Sequence, residues 1–109
     1  QNATVLLKVS LVGDLFLPNA FSPNGDGVND RVTVYSGPAF DRVDLFQVYS
    51  RWGALLYEQT NFPVNDPASG WDGSFKGQAL NPGVYICRAV ARRIDGLVVE
   101  RTVDVTLTR

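Results

Sequence analysis

Val84-Tyr85-Ile86-Cys87-Arg88-Ala89-Val90-Ala91-Arg92-Arg93 runs into Ile94-Asp95-Gly96 and returns as Leu97 to Leu107. In the first run Tyr85, Cys87, Ala89 and Ala91 fall on every second position, which is the period of a strand with one buried face. The second run is rich in β-branched residues, and the Asp-Gly pair between them is a hairpin signal. Two long antiparallel strands therefore close the chain, and the rest has to pack as a β fold around them.

The segments upstream fit that demand. Val43 to Tyr49 is apolar, β-branched or aromatic enough for a central strand. Ser50-Arg51-Trp52-Gly53 reads as a tight turn with Gly53 at positive φ, and Ala54 to Glu58 returns antiparallel. Asn81-Pro82-Gly83 fits a type II turn, with Pro at the second position and Gly at the third. Thr4 to Val12 and Arg31 to Tyr35 read as further strands, and Leu15-Phe16-Leu17 as a short apolar run. Thr60 to Lys76 reads as a long ordered loop holding Gly70-Trp71-Asp72-Gly73.

No segment carries a 3.6-residue apolar period of helix length. With about seven short strands and regular turn signals, the expectation is an all-β antiparallel sandwich of immunoglobulin or fibronectin-III type. The Cys…Trp…Cys spacing of antibody domains is absent, so that likeness is architectural. Residues 14–109 are assigned to one domain. Residues 1–13 are either its first strand or the tail and linker of an upstream domain, and the start at Gln1 in mid-pattern suggests a piece of a longer protein.

Composition narrows the function classes. The 109 residues are 45% hydrophobic and 19% charged, ordinary for a folded domain of this size. The net charge of −1 argues against nucleic acid, which needs an excess of cations to replace counterions. Residues 84–109 hold five Arg against three acids, a mild surplus read as solvated strand faces or as docking surface for an acidic partner. No apolar run approaches the roughly 18 residues of a membrane-spanning helix. Cys87 is the single cysteine, so an internal disulfide is excluded, and its phase predicts a buried small residue. Histidine is absent, which removes a Ser-His-Asp arrangement and histidine-ligated zinc. The eleven acids sit mostly in turns or at strand ends, so the chain is read as non-catalytic. An internal Lys–Asn isopeptide bond is not expected, since Lys8 has no Asn in the last strand to meet.

The stretch richest in candidate ligands is Leu17-Pro18-Asn19-Ala20-Phe21-Ser22-Pro23-Asn24-Gly25-Asp26-Gly27-Val28-Asn29-Asp30. A calcium loop places oxygen ligands at alternate positions, Gly at the sixth and a backbone carbonyl at the seventh. Counting from Ser22, these fall on Asn24, Asp26, Gly27, the Val28 carbonyl and Asp30. The first position is neutral and the twelfth is Thr33 in place of a bidentate Glu, so a tight site needs a carboxylate from elsewhere, with Asp72 and Asp41 as candidates. The other reading is a metal-free loop of successive turns whose side chains bond nearby amides. Both stay open.

Arg51-Trp52 reads either as an exposed aromatic platform for a sugar or a protein, or as a hairpin corner whose indole covers the end of the core. Trp71-Asp72-Gly73 reads as a plug, with Trp71 sealing the long loop and Asp72 accepting amide bonds in its own turn.

Five stretches occur in order: Leu17 to Asp30, Val48-Tyr49-Ser50-Arg51-Trp52-Gly53, Gly70-Trp71-Asp72-Gly73, Leu80-Asn81-Pro82-Gly83-Val84-Tyr85, and a closing Val105-Thr106-Leu107-Thr108-Arg109. Together they resemble the gliding-motility-associated C-terminal domain, the type B sorting domain of the Bacteroidetes type IX secretion system, over about residues 15–109. Many members carry an apolar residue where this chain has Thr108. The resemblance implies a sorting module that directs a larger cargo, joined to it in cis, through the outer-membrane translocon to the cell surface or medium. It also implies a PorP/SprF-like outer-membrane partner. Contact residues expected on that reading are Asn24, Asp26, Asp30, Arg51, Trp52, Thr106, Leu107 and Arg109. The alternative is a calcium-stabilised carbohydrate-binding or adhesive sandwich.

Overall fold

Four long strands carry the fold. The computed structural model describes residues 15–23, 25 and 30–108, and among these nine strands and no helix are present. In chain order they are β1 (Leu15–Phe16), β2 (Ala20–Phe21), β3 (Tyr35–Ser36), β4 (Phe40–Tyr49), β5 (Leu55–Pro63), β6 (Ser74–Phe75), β7 (Gln78–Ala79), β8 (Gly83–Arg93) and β9 (Val98–Leu107). The main sheet has the order β2-β9-β8-β4-β5, and β1-β3 and β6-β7 form two-stranded ribbons. The expected strand Thr4 to Val12 and the assignment of residues 1–13 lie outside the described residues.

The closing hairpin forms as its sequence requires. β8 and β9 pair antiparallel from Gly83↔Leu107 to Arg92↔Val98. Gly96 takes φ +92°, the Gly96 amide donates to the Arg93 carbonyl at 2.9 Å, and the Arg93 amide donates to Leu97 at 2.8 Å. The period of two puts Cys87, Ala89 and Ala91 on the inner face, where all three are buried. Their small size is matched across the sheet, because β4 sets Val48, Phe46 and Val43 directly opposite Cys87, Ala89 and Ala91. Small residues on the middle strand leave room for the Phe46 ring, and close packing of this kind leaves few voids.

A second layer closes this face. Leu15, Val32, Val34 and Trp71 are fully buried in one core with Val43, Phe46, Val48, Val105 and Leu107. Each such aliphatic or aromatic side chain removed from water contributes about 1.5–3 kcal/mol. The arrangement is sandwich-like, and what it shares with the immunoglobulin-type expectation is the all-β layering. Both additional elements are short ribbons. One of them, β6-β7, lies partly within what reads from sequence as a loop. β5 also runs past the expected Glu58 to Pro63. There Asn61 at φ +59° and Pro63 blunt the sheet edge, the place where proline is tolerated.

Two expectations are corrected. Gly83 has φ +156°, far from the +80° or so of a type II turn. It is drawn extended because it pairs with Leu107 and begins β8. The main sheet is also not wholly antiparallel: β2 lies parallel to the end of β9, with Ala20↔Thr106 and Phe21↔Leu107.

Candidate functional site

Trp71 joins three of the five ordered stretches. Its ring lies 5.4 Å from Phe21 and 5.1 Å from Tyr85, both tilted or edge-on contacts that aromatic pairs prefer. Its indole N–H donates to the Ser74 carbonyl at 2.9 Å, satisfying the one polar atom of a fully buried side chain. Its backbone exchanges two bonds with Val32, N–H to carbonyl at 2.9 and 2.8 Å. Gly70, at φ +108°, makes this approach feasible, because a Cβ there would collide with the Val32 carbonyl oxygen. Asp72 Oδ1 accepts the Ser74 amide at 3.1 Å and the Ser74 hydroxyl at 2.6 Å. The plug and the local cap both follow the sequence expectation.

Beside this plug the tail is fastened to the first stretch. The Thr106 amide donates to the Asn19 carbonyl and the Thr108 amide to the Phe21 carbonyl, both at 2.9 Å. The hydroxyls of Ser22 and Thr108 lie 2.7 Å apart. Leu107 is 1% exposed, so its side chain anchors the tail in the core. Thr106 faces solvent on the opposite side of β9, and Arg109 lies outside the described residues.

The Arg51-Trp52 turn stands at the same end of the sheet, since Tyr49 pairs with Ile86 and Gly83 with Leu107. Gly53 takes the expected positive φ of +89°. The Ser50 hydroxyl oxygen accepts the amides of Trp52 at 3.2 Å and Ala54 at 3.1 Å, and the Ser50 amide donates to the Ala54 carbonyl at 2.9 Å. The indole does not cover the core, however: Trp52 is 89% exposed, with the Arg51 guanidinium 6.0 Å from its ring centre. Trp71 and Tyr85 already fill the space at this end of the core. Between this turn and the Pro82 turn lies a groove of about 260 Å³, with Leu80, Pro82, Val84 and Tyr85 along it. Sequence reading did not single out these four as site residues, although the outward phase of Val84 on β8 was a usable signal.

Of the candidate calcium ligands, Asp30 is described and Asn24, Asp26 and Val28 are not. Asp30 Oδ1 accepts the Gly25 amide at 3.0 Å. Of the supplementary carboxylates, Asp72 is committed to Ser74. Asp41 follows Phe40, which pairs with Arg93 at the far end of the sheet.

The outer face of the sheet carries a polar ladder across four strands. Gln47 donates to Glu58 at 2.8 Å, Arg88 donates to Gln47 at 3.0 Å, and Arg88 Nε meets Glu100 at 2.6 Å. The hydrogen bond from Arg88 holds the Glu100 carboxyl below its usual range, and the same bond raises the Arg88 guanidinium. Burial raises the Tyr57 phenol, offset in part by Arg31 nearby. Burial also pushes the Cys87 thiol up to about 12, so it is no nucleophile at neutral pH. Among the described residues no group of three His, Cys, Asp or Glu side chains is arranged to hold a metal, and no helix is long and apolar enough to cross a membrane.

The family model described as CHU_C type IX secretion signal domain matches residues 15–93. That span takes in the first four of the five stretches. A comparison with curated proteins finds no match.

Proposed function

The chain belongs to the type IX secretion signal domain family, and from that premise we propose that it directs export of a larger cargo joined to it. Membership makes it a sorting signal rather than a catalytic domain. The cargo passes through the type IX translocon and ends on the cell surface or in the medium. The direct partner on this reading is a PorP/SprF-like outer-membrane protein, and the module does no chemistry of its own.

The observation that carries the proposal is the convergence at one end of the sandwich. Phe21, Trp71 and Tyr85 stack from three stretches, Thr108 ties in the fourth, and the Trp52 turn of the fifth stands beside them. A folded address has to present a fixed surface, and buried aromatic contacts with paired backbone supply the rigidity. Trp52, Arg51 and Thr106 are its exposed contact residues, and the sequence adds Asn24, Asp26, Asp30 and Arg109 as contact candidates. Calcium held by Asn24, Asp26, the Val28 carbonyl and Asp30 would fix the shape of the loop and take no other part.

The test is to fuse the 109 residues behind a periplasmic reporter in a host that has the system. Export that requires the translocon supports the proposal. A reporter that remains periplasmic sinks it.

A further inference from the structure

The groove beside Trp52 narrows what kind of partner can dock there. This inference rests on the sorting proposal and deepens it. Trp52 is 89% exposed yet stands on a turn fixed by the Ser50 hydroxyl and by Gly53, whose amide donates to the Ser50 carbonyl at 3.0 Å. A large aromatic on a turn whose backbone is already fixed leaves only its own two side-chain torsions to order on binding. Tryptophan and arginine also carry a disproportionate share of protein-interface energy.

The charges around the groove are specific. The Arg51 guanidinium reaches the Trp52 ring, and among the described residues it enters no ion pair, unlike Arg88, Arg92 and Arg93. From Val84 the surface continues over Ile86 to Asp104, and Arg51 borders this strip as well. Asp104 likewise enters no ion pair among the described residues. A cation and a carboxylate therefore bracket an apolar strip. A sugar face would need free hydrogen-bonding side chains around the indole, whereas the Ser50 and Tyr85 hydroxyls are bonded to backbone groups of their own turns, which leaves Arg51 beside Leu56, Leu80, Pro82 and Val84.

We propose that this groove docks a polypeptide segment of the receptor in which an apolar side chain sits between an acidic residue, met by Arg51, and a basic residue, met by Asp104. The apolar side chain packs on Trp52 and Val84, and the two charges fix the direction in which the segment lies.

Selection of a random peptide display library on the 109-residue chain tests this. The expected peptides share an aromatic or aliphatic residue flanked by Asp or Glu on one side and Lys or Arg on the other. Trp52→Ala weakens their binding roughly ten-fold or more. The double variant Arg51→Glu with Asp104→Arg selects the opposite order of charges, a gain that misfolding cannot imitate. Peptides with no common pattern, or with a pattern indifferent to these substitutions, overturn the inference. Trp52-dependent binding on a glycan array overturns it in favour of a sugar site. Reporter export separates the two levels. If the unaltered chain exports the reporter and Trp52→Ala and Arg51→Glu export it equally well, the groove is wrong and sorting stands. If the unaltered chain does not export, sorting fails and the peptide selection alone judges the groove.

Discussion

The hydroxyls of Ser22 and Thr108 lie 2.7 Å apart although 86 positions separate them in sequence. Thr108 also donates to the Phe21 carbonyl at 3.3 Å, so the tail is latched to the first of the five stretches. Thr108→Val keeps the shape and removes the hydroxyl; an exposed bond of this type contributes about 0.5–1.5 kcal/mol. Leu107→Ala opens a cavity beneath it and costs about 2–5 kcal/mol. Urea unfolding of the two variants should show that order, and a larger loss from Thr108→Val would contradict it.

Gly70 and Gly37 make a paired test of the Trp71 plug. Gly70→Ala forces a Cβ into the Val32 carbonyl at a φ of +108°, and we expect a loss of about 3 kcal/mol or more. Gly37 has open space around it and no positive φ, so Gly37→Ala should leave stability within about 0.5 kcal/mol. Thermal melting of both variants reads the difference.

Glu100 gives the outer ladder a pH signature. Its carboxyl is held below its ordinary 4.5 by the Arg88 hydrogen bond. A carboxylate depressed by folding contributes stability above its unfolded pKa and loses it as pH falls through the folded value. The urea midpoint should therefore drop less between pH 7 and pH 3 in Glu100→Gln than in the parent, and added salt should shrink the gap. Equal drops would show that the 2.6 Å pair contributes nothing.

Cys87 reports on the integrity of the core. With its thiol buried and pushed up to about 12, it should resist iodoacetamide at pH 8 in the folded chain and react on unfolding in urea. Rapid labelling of the native chain would mean that the small inner row of β8 opens readily.

Calcium is checked by melting temperature with chelator and with excess calcium. A site saturated at a hundred times its dissociation constant adds about 2.7 kcal/mol and raises the transition. Identical transitions remove calcium from the account.

The strands were legible in the sequence where one rule dominates. Alternation placed Cys87, Ala89 and Ala91 inside, and glycine chemistry placed the turns at Gly53 and Gly96. Trp71 as a plug followed from a large aromatic set in the turn-forming Gly70-Trp71-Asp72-Gly73. What depends on partners distant in sequence was not legible. Gly83 is extended because Leu107 lies beside it, and β2 runs parallel to β9 because the chain crosses over to reach it. Whether the Trp52 indole points in or out depends on what already fills the end of the core, and Trp71 with Tyr85 decides that. The groove needed two turns about thirty residues apart to be seen side by side, so its residues had no common signal.

The central claim is that one end of this fold is the address. It is tested most directly by reporter export with Trp52→Ala at that end and Ile94→Ala at the exposed hairpin tip of the opposite end. Both side chains are largely in solvent, so both variants should melt as the parent does. The account predicts that Trp52→Ala retains reporter in the periplasm while Ile94→Ala exports it normally. Normal export with Trp52→Ala together with loss on Ile94→Ala would contradict it.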